Sequence, residues 1–183
     1  MKNLTFVIIL SVGFLNLSCK NDTNENVNRN KQEEKMKIKV ESSAFNEGEM
    51  IPSKFTCTGD NISPQIRWEK PSEKTKSFTL IVDDPDAPGK GFVHWVVFNI
   101  PADKTEISEN ESLSDNIIIG RNGSGNNSYT GPCPPSGTHR YFFKIYALDT
   151  MLDANDKINK DELLNKMQGH IISSGQLMGK FSK

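Results

Sequence analysis

Apolar residues are concentrated in a few blocks, and the stretches between them are polar and rich in asparagine, glycine and proline. The first block, Leu4–Leu17, lies near the start of the chain and is followed by a polar segment. Three later blocks, Phe78–Val82, Val93–Ile100 and Tyr141–Leu148, are dominated by aromatic and branched apolar residues. Such residues favour an extended chain on a buried, pleated surface. The later blocks are therefore predicted to be the strongest strands of the fold.

Weaker patterns surround these three strands. Phe45–Pro52 is predicted to be a loop, and so is the polar stretch 102–128, which is relieved only by Ile117–Ile119. Alternation of polar and apolar residues, or a short apolar run, predicts four further strands. They are Lys37–Ser42, Lys54–Thr58, Gln65–Trp68 and Gln176–Phe181.

One segment near the end of the chain has the pattern of a helix. Asp161–Gly169 begins with an acidic turn, carries Leu163, Leu164 and Met167 on one face, and ends at a glycine. Many short strands with proline and glycine turns and one late helix favour a mostly β fold. We expect an antiparallel β-sandwich with one or two short C-terminal helices.

The N-terminal apolar block resembles a secretory signal. It follows a short basic start and is about 14 residues long, whereas a bilayer span needs roughly 20. A small residue, Ser18, precedes Cys19 as in a bacterial lipobox, although Asn16 stands where leucine is usual. Residues 1–18 are thus predicted to be a lipoprotein signal peptide, with lipid on Cys19. A plain signal peptide with an incidental cysteine is the alternative.

The composition predicts a tether followed by one domain. Residues 19–35 have a single aliphatic residue, Val27, and cannot bury enough apolar surface to offset the entropy of ordering, so they are predicted to be disordered. Residues 36–183 have the length of one ordinary domain. The net charge is −1, from 22 basic and 23 acidic residues, which does not favour a nucleic-acid partner. We expect a location in the bacterial cell envelope, on the periplasmic face or the cell surface, with lipidated Cys19 as the only membrane attachment.

Two stretches beside the strongest strands could carry chemistry. The first, from Asp83 to Pro88, places three carboxylates close together, which is unfavourable unless one is protonated, hydrogen-bonded or paired with a cation. Aspartate is also a common turn residue. The second begins the next strand with His94 and Trp95, and strand alternation predicts that their side chains point to opposite faces.

A third stretch, Tyr129–Tyr141, contains three prolines and two glycines and leads into the last strong strand. Its exposed backbone N–H groups suit an anion. Alternation places His139 and Tyr141 on one face and Arg140 on the other. Two of the three histidines in the chain therefore stand where a loop meets a strong strand, which favours a binding site.

These stretches together resemble one known family. The sequence DPDAP, a histidine followed soon by VVFN, the later GPCPPSGTHRY, and FTCTGDNISPQIRW near the start are similar to the phosphatidylethanolamine-binding protein family, in its bacterial Raf-kinase-inhibitor-like branch. The resemblance covers about residues 36–183. It implies a Greek-key β-sandwich with a small anion pocket that binds phosphate, acetate or a phospholipid-like headgroup in relatives, without catalysis or cofactor. Relatives inhibit kinases or proteases, so regulation of such a partner enzyme is also compatible with the resemblance.

The resemblance also implies which residues form the pocket. In it, a histidine and the tyrosine hydroxyl would donate to an oxyanion, loop N–H groups would complete the cradle, and Asp84 would orient one imidazole and raise its pKa. Arg140, Asp83 and Asp86 are expected to hold the turn. The implied ligand-binding residues are Asp84, Pro88, His94, Cys133, Pro134, His139 and Tyr141.

Two rival interpretations remain open. One is a hydrolase or zinc-dependent enzyme that uses Asp84, His94 and His139, although HExxH and GxSxG motifs are absent from the sequence and no obvious nucleophile lies beside either histidine. The other is a purely structural or interaction module.

The state of the two remaining cysteines is also open. If Cys19 carries lipid, Cys57 and Cys133 remain, either as a disulfide in an oxidising compartment or as two buried thiols.

Overall fold

The strong apolar blocks form neighbouring strands of one antiparallel sheet in the computed structural model, which describes residues 38–114 and 116–183. The predicted signal peptide, the lipidation site Cys19 and the tether lie outside these residues. Within them, no helix has the length and apolar character needed to cross a membrane. The elements are β1 (Val40–Glu41), β2 (Ile66–Trp68), β3 (Ser77–Asp84), β4 (Phe92–Pro101), β5 (Glu106–Ile107), β6 (Ile118–Ile119), β7 (Thr138–Leu148), α1 (Lys160–Met167) and β8 (Ile171–Ser182).

The strands form two sheets. A five-stranded sheet has the order β6-β4-β3-β7-β8, and a three-stranded sheet has the order β1-β2-β5. Strands β3 and β4 are adjacent, β6 lies beyond β4, and β7 returns after a long connection to lie beside β3. This arrangement is the Greek-key order, and the chain visits the small sheet, as β5, between β4 and β6. The predicted antiparallel Greek-key β-sandwich is confirmed.

The main core lies between the two sheets. Trp68 of the small sheet packs edge-on against Phe78 of the large sheet, with ring centroids 5.5 Å apart. The inward residues of β7 also contribute, among them Tyr141, Phe143 and Ile145. Alternate residues of one strand thus share the buried face, as the period of a strand requires.

Helix α1 covers the opposite face of the large sheet. Its buried residues Leu163 and Met167 pack with Val96 and Phe98 of β4 in a second apolar cluster. The helix begins at a capping box in which Asn159 and Glu162 satisfy each other's backbone N–H groups. The sandwich therefore gains a helical third layer, and the five-stranded sheet is buried on both faces.

Three predictions about secondary structure need correction. The strand predicted at Lys54–Thr58 is instead a 3-10 helix, Ser53–Phe55, which ends where the Thr56 hydroxyl donates to the Ser53 carbonyl at 2.8 Å. The predicted loop 102–128 contains the two-residue strands β5 and β6. Pairing with β2 and β4 defines these strands, and their residue composition does not. Strand β8 begins five residues before the predicted start, and within this added part Gly175 lies against the Ile38 backbone, where a Cβ would stand 1.9 Å from the carbonyl oxygen.

Candidate functional site

The candidate site lies at one end of three adjacent strands, β4, β3 and β7. Asp83 pairs with Val93 on one side and with Phe142 on the other, so the next residue, Asp84, ends β3 between its two neighbours. His94 lies near the start of β4, and His139 and Tyr141 near the start of β7. These polar side chains are buried: His94 is 4% exposed, His139 8%, Asp84 3% and Tyr141 1%. The ends of three inner strands of a rigid sheet therefore position them.

Asp84 holds both the turn and one imidazole. One carboxylate oxygen accepts from the backbone N–H of Asp86 at 2.8 Å and of Ala87 at 3.1 Å. The other lies 2.8 Å from Nδ1 of His139. Because a carboxylate accepts, Nδ1 of His139 carries the hydrogen and donates it. Asp84 thus fixes the orientation of the His139 ring.

His94 is placed by a β-bulge. Val82 pairs with Trp95, but the next residue of β3, Asp83, pairs with Val93, so His94 is an extra residue in β4. Its ring contacts Tyr141 at a centroid distance of 5.2 Å, while Trp95 packs into the core between the sheets, the cluster that also contains Tyr141. The predicted opposite orientation of His94 and Trp95 is therefore wrong, since a bulge interrupts strand alternation.

A threonine that the sequence did not single out holds the His94 ring. Nδ1 of His94 lies 2.6 Å from the carbonyl oxygen of Thr130, and the Thr130 N–H donates to the His94 carbonyl at 3.0 Å. The buried Asn122 donates to the Thr130 hydroxyl at 3.0 Å and also bonds three backbone groups of the loop between them. An asparagine before glycine is a signal for such an Asx turn, but the contact with Thr130 depends on tertiary structure.

Among the described residues, two buried polar atoms at the site lack a hydrogen bond of normal geometry to the protein. They are Nε2 of His94 and the hydroxyl of Tyr141. The two rings are in edge contact. Leaving a buried polar atom unpaired costs about 1–3 kcal/mol, so native proteins seldom keep two side by side without a function.

Burial determines the protonation state of His94 and of Tyr141. Burial lowers the pKa of His94 and outweighs the opposing effects of the Thr130 and Gly131 backbone and of Asp84 and Asp83, so the neutral ring is favoured. Burial, reinforced by the charge and the hydrogen bonding of the nearby Asp84 carboxylate, raises the pKa of Tyr141 and keeps its hydroxyl protonated. The site therefore combines a neutral imidazole with a neutral phenol.

The lowered pKa of His94 predicts a pH dependence of stability. The unfolded chain binds a proton near the ordinary histidine pKa of about 6.5, whereas folded His94 resists it, so stability is full above this pH and falls below it. The contribution is at most one proton, about 1.4 kcal/mol per pH unit. Denaturant unfolding from pH 7.5 to 5.5 should show a weaker dependence for His94→Gln than for wild type. His170→Gln, at an exposed ion pair with Asp149, serves as the control. If the unfolding free energy depends equally on pH in wild type and in His94→Gln, the lowered pKa of His94 is refuted.

The two other aspartates of the turn have separate roles. Asp86 accepts from the backbone N–H, Nε and Nη2 of Arg140, and this bonding lowers the pKa of Asp86 to about 2. The expectation that Asp86 and Arg140 hold the turn is confirmed. Asp83 does not hold the turn, because alternation points its carboxylate to the helical layer, where Lys144 lies at 2.7 Å and Lys160 at 3.0 Å.

The loop from Tyr129 to Gly137 is attached to the 3-10 helix and to the segment that follows it. The Tyr129 hydroxyl donates to the Phe55 carbonyl at 2.9 Å, and the Gly131 N–H donates to Asn61 at 2.8 Å. Cys57 and Cys133 form a disulfide with a Cα–Cα distance of 5.4 Å, and both residues are exposed. Of the open alternatives for this pair, the structure has the disulfide.

The seven residues implied as ligand-binding therefore divide into two groups. Asp84, His94, His139 and Tyr141 are buried and linked through Asp84–His139 and His94–Tyr141 contacts. The other three lie in the flanking turn and loop: exposed Pro88, disulfide-bonded Cys133 and buried Pro134. In the described part of the chain, no three His, Cys, Asp or Glu residues are grouped as metal ligands.

Comparison with known proteins gives a consistent result. Residues 41–182 match the family model described as phosphatidylethanolamine-binding protein. A UPF0098 protein of Methanothermobacter thermautotrophicus is 46% identical over 150 residues, 80% of this chain and 99% of its own length. The UPF0098 protein PH1269 of Pyrococcus horikoshii is 40% identical, covering 100% of this chain and 91% of its own.

Solved structures agree with the sequence matches. A phosphatidylethanolamine-binding protein homolog, CT736 of Chlamydia trachomatis, superposes with a TM-score of 0.76 at 36% identity, covering 80% of this chain and 97% of its own. YbcL of E. coli, described as a member of the mammalian PEBP family, gives 0.75 at 30% identity, covering 80% and 98%. The sequence identity and the coverage are too high to reflect a shared fold alone.

Proposed function

The chain belongs to the phosphatidylethanolamine-binding protein family, and from this membership and the site geometry we propose that it is a non-catalytic binding protein for a small anionic or phosphorylated ligand. One observation carries the proposal: in the described part of the chain, the Tyr141 hydroxyl and Nε2 of His94 are buried without a hydrogen bond of normal geometry, and the two rings are in edge contact. The protein gives up hydrogen bonds there that a ligand oxygen can restore. His139, oriented by Asp84, supplies a further ring nitrogen.

The same geometry gives little support to the hydrolase alternative. Nδ1 of His94 is bonded to the Thr130 carbonyl and Nδ1 of His139 to Asp84. In the hydrogen bonds of the described residues, neither ring bonds a serine, threonine or cysteine side chain. A nucleophile activated by a histidine base needs that contact. Binding therefore accounts for the site better than acyl or phosphoryl transfer.

We further propose that the protein acts in the bacterial cell envelope, attached to a membrane through lipid on Cys19. The disulfide between Cys57 and Cys133 supports an oxidising compartment, because such bonds are rare in the cytosol. A protein partner, a kinase or a protease, would be regulated through the binding domain. Ligand binding is the part of this proposal that the geometry supports most directly.

Tyr141→Phe tests the proposed function because it separates binding from stability. Isothermal titration with phosphate and phosphoethanolamine should show binding at least about tenfold weaker, since the lost hydrogen bond to an anion is worth about 1.5–3 kcal/mol. Stability should change by less than about 1 kcal/mol, because the hydroxyl has no hydrogen bond of normal geometry to lose and interacts only more weakly with Asp84. Tyr146→Phe, on the other face of the same strand, should leave binding unchanged. If wild type binds neither compound at millimolar concentration, the proposed function fails for these ligands.

A further inference from the structure

Helix α1 leaves the beginning of β7 uncovered on the outer face of the large sheet. Among the described residues, the apolar cluster beneath the helix includes Tyr146 and Leu148 at the end of β7 but no residue nearer its beginning. Arg140, Phe142 and Lys144 lie in that earlier part, on the same side of the strand as Tyr146. Arg140 is exposed, and Phe142 and Lys144 are half-buried. This part of the sheet therefore presents an aromatic ring and two cations to solvent.

The register of the strands extends this surface across β8 to the segment beyond it. Phe142 pairs with Met178 and Arg140 with Lys180, and Lys180 in turn faces Met50 through an isolated parallel bridge. Residues directly opposite each other on paired strands share one face. Met50 is 50% exposed, one of two large apolar side chains exposed to this degree in the described part of the chain. We call this surface the β7–β8 patch; it consists of Met50, Arg140, Phe142, Lys144, Met178 and Lys180.

The charged groups around the β7–β8 patch are mostly cationic. Arg140 pairs with Asp86 and Lys144 with Asp83, and Asp83 also contacts a lysine at the start of α1. Lys180 has no ion pair among the described residues. Four cations thus stand against two carboxylates, whereas the whole chain has a net charge of −1. The excess of positive charge is therefore a local property of this surface.

The side chains of the patch combine apolar and cationic groups as a membrane interface requires. The charged groups of Arg140 and Lys144 lie 5.8 Å and 5.5 Å from the centroid of the Phe142 ring. An apolar surface with long cationic side chains around it suits the boundary between lipid headgroups and acyl chains. We propose that the β7–β8 patch docks the domain on an anionic lipid surface. Met50, Phe142 and Met178 meet the headgroup–acyl boundary, and the cations meet the anionic headgroups.

The point at which the chain enters the domain supports this occupant. The Ile38 N–H donates to the Ser174 carbonyl at 3.2 Å, so the N-terminal segment joins the domain at β8, the strand that carries Lys180. Residues 19–37 can span at most roughly 65 Å. The inference rests here on the proposed attachment through lipid on Cys19, which would keep the patch within that distance of a membrane. A weak surface contact then becomes effectively intramolecular, and it adds to the lipid that was expected to be the only membrane attachment.

Vesicle flotation measures the docking without the lipid anchor. The chain from residue 19 onward with Cys19→Ser lacks both the apolar block Leu4–Leu17 and the lipid, and it keeps the matched family domain, residues 41–182. At low ionic strength it should bind phosphatidylcholine vesicles that contain phosphatidylglycerol at least about tenfold more tightly than pure phosphatidylcholine vesicles. Added salt should weaken this binding, because it screens the charges. Equal binding to both vesicles, or binding to neither, would refute the proposal.

Two double variants of equal composition locate the contact. Met50→Asp with Lys180→Glu alters the patch, and Met151→Asp with Lys76→Glu makes the same changes elsewhere. Met151 is 48% exposed, and the exposed Lys76 lies at the other end of the sheet, where its N–H donates to the Leu148 carbonyl. The patch variant should bind anionic vesicles at least about tenfold more weakly than the starting chain, and the control variant should stay within about threefold. Equal losses in the two variants would contradict docking through the patch.

Oxidation by hydrogen peroxide tests the contact without any substitution in the domain. Peroxide transfers one oxygen atom to the sulfur of an exposed methionine, giving the sulfoxide and water. Anionic vesicles should slow the oxidation of Met50 at least about threefold and leave the rate at Met151 unchanged, as measured by mass spectrometry. Protection of both methionines, or of neither, would refute docking through the patch. Protection of Met50 by a higher protein concentration without vesicles would identify a second copy of the chain as the occupant and refute the lipid surface.

Two further controls separate the docking from the proposed function. Phosphoethanolamine should release no more protein from the vesicles than sodium chloride of equal ionic strength. Greater release would place the lipid headgroup in the site of His94 and Tyr141 and overturn the inference. Extraction of wild type and Cys19→Ser from cell membranes tests the lipid on Cys19 independently. Failure of vesicle docking would therefore leave both the lipid attachment and ligand binding unaffected.

Discussion

Replacing Asp84 by alanine should lower the free energy of unfolding by about 3–5 kcal/mol and abolish phosphate binding. The buried carboxylate accepts from two backbone N–H groups of the turn and from His139, and removing it leaves all three donors without this acceptor. Breaking a buried, hydrogen-bonded pair by deleting one partner has a cost of this size. Binding should be lost because the turn and the His139 ring lose their shared anchor. Denaturant unfolding and titration calorimetry with phosphate measure the two effects.

Two matched variants separate the roles of this carboxylate. Asp84→Asn keeps an oxygen for the turn but presents an N–H₂ group to the Nδ1–H of His139, so it should cost less stability than alanine while still weakening binding. Asp86→Ala, in the same turn, removes a more exposed pair with Arg140 and should cost at most about 1 kcal/mol. If Asp86→Ala destabilises the protein as much as Asp84→Ala, the central role of Asp84 is refuted.

The sequence was sufficient to predict the strands that are long and apolar. Strands β3, β4 and β7 were predicted because their residues favour extended chain wherever they pack. The 3-10 helix after Pro52 and the two-residue strands β5 and β6 were not, because local turns or a partner strand define them. The beginning of β8 contains Gly175, whose lack of a side chain allows a close approach to the Ile38 backbone that strand propensity does not predict.

The family resemblance names four residues that the structure places together, Asp84, His94, His139 and Tyr141, but it does not predict their geometry. Three nearby aspartates have three different environments: Asp84 bonds His139, Asp86 bonds Arg140, and Asp83 faces two lysines on the opposite side of the sheet. Alternation separates Asp83 from Asp84, but it fails at His94, where a bulge inserts a residue. A bulge depends on pairing between strands and leaves no clear local pattern.

Removing the disulfide should lower the free energy of unfolding by about 4 kcal/mol. Its effect on phosphate affinity should be smaller. Cys57 and Cys133 are 76 residues apart, and closing a loop of that length restricts the unfolded chain by roughly this free energy. The folded loop keeps its other attachments, from Tyr129 to Phe55 and from Gly131 to Asn61, so the site remains near its native geometry.

The double variant Cys57→Ser, Cys133→Ser measures this effect without leaving a free thiol from the pair. Denaturant unfolding should show the stability loss, and calorimetry at a temperature where the variant is folded should show phosphate affinity within about tenfold of wild type, because the bond acts mainly on the unfolded chain. Cys19→Ser removes a cysteine outside the closed loop and should leave the unfolding free energy unchanged. Loss of binding in a fully folded double variant would show that the disulfide shapes the site directly, and a stability change below about 1 kcal/mol would contradict the loop-closure argument.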